Sequence, residues 1–200
     1  MEEEKLPKDI LREIAKRENW DIKVFEKTIN VKYGHYTRTV IIKNSEFKNA
    51  YFISDHSANF DKYRIYSGIF IPVDDAYSNY CLLIRKRNLF DKISFKKNAK
   101  RFRTGNSNFD NKVYVETTHE METHKLLSSG KIQMEILDFL NSDDLLHIGY
   151  NEINPEFNDE LKGHKYLSVF MALNWMLDKQ LIDKAFKLGE KLSQKMESNN

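Results

Sequence analysis

The sequence is short of the residues that staple, break or span a fold. Its one cysteine, Cys81, cannot form an internal disulfide, and it lies in the apolar run Tyr80-Cys81-Leu82-Leu83-Ile84, which reads as a buried strand. A reducing compartment, the cytoplasm, is the expected location. Proline is limited to Pro7, Pro72 and Pro155 and glycine to 7 positions, which excludes collagenous and low-complexity classes. Uninterrupted apolar runs stop at four or five residues, against the roughly 20 that a membrane-spanning helix needs. The opening Met1-Glu2-Glu3-Glu4 is acidic where a secretory signal carries positive charge, so no export signal is expected.

What is present is packing material and charge. Hydrophobic residues make up 40% of the 200 positions, with 13 Phe and 10 Tyr among them, enough to bury a core in one large domain or two small ones. The net charge is only +2, but its distribution is bipolar. Residues 85 to 103 hold nine bases (Arg85, Lys86, Arg87, Lys92, Lys96, Lys97, Lys100, Arg101 and Arg103) against the single acid Asp91. Residues 133 to 161 hold eight acids and no Lys or Arg. Such blocks bear on partners more than on fold.

Pro7 ahead of Ile10, Leu11, Ile14 and Ala15 predicts a first helix over about residues 8 to 18, since proline in the first turn forfeits no hydrogen bond. From Trp20 to Ile84 the period falls towards two. Ile22-Val24, Thr39-Ile42, Tyr51-Ile53, Tyr63-Tyr66 and Tyr80-Ile84 read as strands of an antiparallel meander, with Ile69-Pro72 as an edge strand. After the basic segment, Lys112-Glu116 reads as a strand, and Thr117 to Glu120 has the spacing of a capping box for a helix through Leu126. Ser128-Ser129-Gly130 breaks it. A second helix is expected on Ile132, Ile136, Leu137 and Leu140, then strands over Leu145-Tyr150 and Glu152-Phe157. Val169, Phe170, Leu173, Leu177, Leu181, Leu188 and Leu192 predict a last helix from Lys165 to about Lys195, bent after Lys179. The expected class is α+β. A helix and meander over 1–84, a basic linker over 85–103 and a β-α-β-β-α portion over 104–195 form one domain or two halves.

The segment Thr104-Gly105-Asn106-Ser107-Asn108-Phe109-Asp110 resembles the T-G-x-x-x-F-D signature of an uncharacterised bacterial domain family, in which the signature precedes a strand and a helix rich in paired leucines. Val113, Val115, Leu126 and Leu127 match that strand and helix. The similarity covers roughly residues 8 to 182. It implies an α+β fold and no known activity. The residues themselves predict a structural turn: Gly105 at positive φ, Phe109 anchored in the core and Asp110 accepting from backbone amides. A phosphate loop would need a Lys-Ser/Thr pair opening a helix, and the segment has none.

Catalytic and metal chemistry find little footing. His119 and His124 are five residues apart, about 140° around a helix, where a zinc pair needs i, i+4; His35, His56, His147 and His164 are dispersed. There is no G-x-S-x-G elbow, and the paired acids Asp74-Asp75, Asp143-Asp144 and Glu120/Glu122 read as solvated caps. No cofactor or metal is expected. The first reading is therefore a non-catalytic interaction or regulatory module with a protein partner. The alternative is a binder of anionic lipid headgroups or nucleic acid through Arg85, Arg87, Lys92, Lys96, Lys97, Lys100, Arg101 and Arg103, interleaved with Leu89, Phe90, Ile93, Phe95 and Phe102. Docking of this segment on the chain's own acidic stretch is a further alternative. The apolar stripe beyond Gln180 is expected either to fold back on the meander or to pair with a second copy in a homodimer.

Overall fold

A computed structural model describes residues 5–30, 35–47, 49–56, 65–73, 79–88, 91, 100–155 and 161–197, with the side chains of 27–30 and 35–38 excepted. Helix α1 (Pro7–Arg17) leads into β1 (Asp21–Asn30), β2 (His35–Lys43), β3 (Tyr51–His56), β4 (Ile65–Val73) and β5 (Leu82–Lys86). Then come β6 (Lys100–Phe102), α2 (Ser107–Asp110), β7 (Val113–Thr117), α3 (Glu120–Leu127), α4 (Gly130–Leu140), β8 (Leu146–Tyr150), β9 (Lys165–Ala172) and α5 (Lys179–Glu197). The class is α+β. The nine strands among the described residues join one antiparallel sheet in the order β1-β2-β3-β4-β9-β8-β5-β7-β6.

The helices cover one face of this sheet. Leu11, Ile136, Phe139, Ile182, Phe186 and their neighbours pack there against Val40, Phe52, Ile69, Val169, Ile148, Ile84 and Val115. The other face carries no helix among the described residues. Its centre holds a second cluster of Ile41, Ile53, Tyr66, Phe70, Tyr166 and Phe170, capped by Leu161 and Ile153 from the β8–β9 connection.

Several sequence expectations need correction. Lys165 to Ala172 is a strand, not the start of the last helix, and it sits mid-sheet between β4 and β8. A strand buried on both faces shows a continuous apolar run, and periodicity does not separate that from a helix. Leu173, assigned to the helical stripe, is instead exposed at a φ of 62° where the chain leaves the sheet. The stretch from Glu152 to Pro155 is not a strand. Ile65 to Val73 is one central strand rather than an edge; Pro72 is tolerated because it lies past the last β3 pairing, Tyr51 with Phe70, and so owes β3 no hydrogen bond. Residues 85 to 103 are not simply a linker, since they begin inside β5 and end beside β6. The capping box also fails: α3 starts from His119, and Thr117 Oγ1 accepts from the His119 amide at 3.0 Å instead.

Helix α5 folds back, burying Leu181, Ile182, Ala185, Phe186, Leu188, Leu192 and Met196 within the chain. Phe186 stacks on Phe47 at 4.9 Å and meets Trp20 edge-on at 5.8 Å, tying α5 to the β2–β3 turn and to the end of α1. Lys179 reinforces that joint, with Nζ 3.4 Å from Glu18, 2.5 Å from Asp183 and 5.0 Å over the Trp20 ring. The Arg17 hydrogen bond, with Lys179 adding to it, holds the Glu18 carboxyl below its ordinary range. Burial opposes the Lys179 charge, but Asp183 and Glu18 outweigh it and hold the amine above its ordinary value. The Glu18 contribution is thus present above the ordinary glutamate pKa and lost as pH falls through the depressed folded value; the Lys179 contribution is lost only in strong alkali. Lys179→Met should lower the urea midpoint at neutral pH, and its difference from wild type should narrow below about pH 4.

Close approach of β4 to β9 requires Gly68. A Cβ there would lie 2.3 Å from the Val169 carbonyl oxygen and 2.4 Å from Phe170 Cα, both backbone atoms that cannot step aside. Gly68→Ala should cost about 3 kcal/mol, read from the urea midpoint.

Candidate anion-binding corner

Strand alternation sorts the basic segment. Leu82 and Ile84 of β5, Val113 and Val115 of β7, and Phe102 of β6 all turn to the helix-side core. Their odd or even neighbours must then point to the helix-free face. Arg85 pairs with Tyr114 and His147 across the strands, and Arg101 pairs with Glu116. The β5–β7 ladder continues one residue further, where the Arg87 amide donates to the Lys112 carbonyl at 2.8 Å. Arg87 and Lys112 therefore share the face of Arg85, and alternation carries Arg103 to the same side as Arg101. Four of the eight arginines in a chain with 24 lysines gather at this corner. Arg85 and Arg103 flank β7 at the level of Tyr114, Arg87 lies at the level of Lys112 and Arg101 at that of Glu116. With strands about 4.8 Å apart and alternate residues about 7 Å apart, their Cα atoms outline a patch of about 10 by 14 Å over β7.

Arg85 is fixed within it. Its guanidinium forms a two-pronged pair with Asp91, lies 4.5 Å over the Tyr114 ring and donates to the Lys86 carbonyl. The Asp91 carboxylate, 2% exposed, also accepts from the Asn88 amide at 2.6 Å. Beneath the corner, buried Glu116 accepts from Tyr114 Oη at 2.9 Å. Arg87, Arg101 and Arg103 make no ion pair among the described residues, and Arg103 is exposed. Three guanidinium forks beside one already filled by a carboxylate can take an oxyanion.

The remaining bases of the sequence-derived set separate from these. Lys100 pairs with Thr117, whose side chain turns towards the helix side, and is exposed there. Lys92, Lys96 and Lys97, with Leu89, Phe90, Ile93 and Phe95, lie outside the described residues. Docking on the acidic stretch occurs at one point among the described residues, Lys86 with Asp144 at 2.6 Å. Elsewhere that stretch is met by α5, through Lys184–Asp138 at 3.1 Å and Lys191–Glu135 at 2.8 Å.

Other candidates resolve into structural roles. Asp110 gathers the T-G-x-x-x-F-D turn: its Oδ1 accepts from the Thr104 amide and hydroxyl at 2.9 Å each, and its Oδ2 accepts from the Gly105 amide at 3.0 Å. Gly105 has a φ of 86°, Phe109 is fully buried, and Asn106 caps α2 while its side-chain amide donates to Gln133 at 2.6 Å. Thr123 links Tyr80, Thr117 and the His119 carbonyl under the start of α3. Asp143 caps the turn before β8, and Glu122 pairs with Lys125. Cys81 is half-buried just ahead of β5 rather than enclosed in it, its sulfur accepting from Asn151 Nδ2 at 3.6 Å. Among the described residues no His, Cys, Asp or Glu group is placed to hold a metal ion, and no helix is long and apolar enough to cross a membrane.

A cleft of about 330 Å³ opens between the β2–β3 turn and the end of α5, floored by Phe47, Ala50 and Ile71 and rimmed by Glu46, Glu190 and Glu197. Its rim has the opposite sign to the arginine corner. No sequence signal joins positions 46 and 197, so this cleft is visible only in the folded chain. Compared with family models, curated proteins and solved structures, the chain matches none.

Asp110→Ala should leave the Thr104 and Gly105 amides without their acceptor and cost about 2 kcal/mol. Urea unfolding should record that loss, and hydrogen exchange at Gly105 should quicken.

Proposed function

We propose that this chain is a non-catalytic interaction module of a reducing compartment that docks an anionic partner on the arginine corner of its helix-free sheet face. The observation that carries the reading is the convergence of Arg85, Arg87, Arg101 and Arg103 from two strands onto one patch, where a lysine-rich chain has placed half of its arginines. Arginine at fixed positions on strands suits planar, two-pronged recognition of oxyanions and loses less side-chain freedom per hydrogen bond than lysine. Of the two partner classes expected from the sequence, this favours the anionic one, and a protein presenting an acidic face satisfies both. The T-G-x-x-x-F-D resemblance adds an architecture to this reading and no activity.

Fluorescence anisotropy with a labelled polyglutamate peptide and a labelled single-stranded oligonucleotide tests it. Either probe should bind at low salt, with affinity falling steeply between about 50 and 200 mM salt as counterions compete. Arg101→Glu with Arg103→Glu should abolish binding while the unfolding midpoint stays near wild type. Failure of both probes at low salt would sink the reading.

A further inference from the structure

We infer that the arginine corner is a site for a small molecule bearing phosphate groups, an assignment that rests on the anionic reading above and narrows it. Arg85 and Asp91 supply an internal standard: one carboxylate, with two oxygens, is satisfied by one guanidinium fork and one backbone amide. Three further forks, from Arg87, Arg101 and Arg103, rise around the same strand β7 without an ion-pair partner among the described residues. One more carboxylate would leave two of them unmatched. Arg87 and Arg101 lie at opposite corners of the patch, about 17 Å apart at Cα, so one oxyanion does not reach both. Linked phosphate groups, each with strong acceptor oxygens and more than one negative charge, match three forks spread on either side of β7.

The surroundings favour a compact ligand over an extended one. The patch is about 10 by 14 Å, a span that a small molecule with linked phosphate groups covers within reach of the arginine side chains. Beside it, Ile153 and Leu161 of the β8–β9 connection rise over the centre of the same face, so a flat anionic surface cannot lie against the whole sheet. Among the described residues Tyr114 is buried beneath Arg85, and His147, opposite Arg85 on β8 and edge-on to Phe170, lies outside the four arginines, so no exposed ring stands between them as a platform on which a base could stack. Buried Glu116 adds negative charge to the floor, so the ligand oxygens must be held at the level of the guanidinium groups above it.

Calorimetric titration of the full chain with inorganic tripolyphosphate, and separately with citrate, decides the matter. Tripolyphosphate should bind at least tenfold more tightly than citrate. The charge-preserving triple variant Arg87→Lys, Arg101→Lys, Arg103→Lys should weaken tripolyphosphate at least tenfold, whereas Lys100→Ala, on the other side of the sheet, should bind as wild type. Thermal unfolding of each variant, unchanged from wild type, excludes a folding defect, and single substitutions replace the triple variant if it unfolds early. Citrate binding as tightly as tripolyphosphate, or a triple-lysine variant that binds like wild type, would overturn the phosphate site while leaving the anionic reading standing. A short oligonucleotide that binds when tripolyphosphate does not would likewise overturn it in favour of an extended backbone. No binding of tripolyphosphate, citrate or the oligonucleotide removes both.

Discussion

The pairing of β4 with β9 is the contact on which the rest of the molecule depends. Eight residue pairs, from Tyr66 with Ala172 to Val73 with Lys165, join the N-terminal meander to a strand about a hundred residues later in the chain. Closing such a loop costs on the order of 4 kcal/mol in chain entropy before any contact forms. Burial on both faces at once offsets it. Ile69 and Val169 lie in the helix-side core, and Phe70 and Phe170 lie in the opposite cluster, all four fully buried. The strands approach so closely that residue 68 has no room for a Cβ. Ser67 extends the joint, its hydroxyl donating to the Asn174 carbonyl at 3.2 Å and accepting from the Met176 amide, so the turn from β9 towards α5 is pinned to β4.

The placement of charge on the sheet depends on the register that this joint propagates. Through β8 it reaches β5, and through β5 it reaches β7 and β6. A strand that slipped by one residue would send Arg85 and Arg87 into the helix layer and Ile84 to the open face. The apolar residues Ile84, Val115 and Phe102 therefore set where the arginines point, although they touch no ligand. Asp91 then decides which of those arginines is free, because its buried carboxylate is already the partner of Arg85.

The acidic stretch shows how a charge block can serve stability rather than recognition. Asp138 and Glu135 of α4 face Lys184 and Lys191 of α5, and Asp144 faces Lys86. Such exposed pairs contribute at most about 1 kcal/mol each, but they orient the surface between the two helices and remove negative charge that would otherwise lie beside the basic strands. The bipolar sequence thus becomes a surface where the acids of α4 are largely matched and three arginines of the sheet corner have no ion-pair partner among the described residues.

Local features were legible in the sequence because their causes are local. Pro7 opened α1, Gly105 took positive φ, Phe109 went to the core and Asp110 bound the amides of its own turn, all but the first within a few residues of one another. The first three strands came from their period, and the alternation Arg85-Lys86-Arg87 and Lys100-Arg101-Phe102-Arg103 already held the sorting of arginines from lysines. What the sequence by itself determined was the α+β class, the meander, the T-G-x-x-x-F-D turn and the basic block. Only the tertiary structure decided that Lys165 to Ala172 is a central strand, that α5 folds back onto the sheet, and that the two ends of the basic segment flank β7 on one face. The physical reason is that each depends on neighbours distant in sequence: a strand buried on both sides carries no periodic signature of its own, the period of α5 does not say which surface covers its apolar stripe, and the facing of the basic ends follows from their pairing with β7.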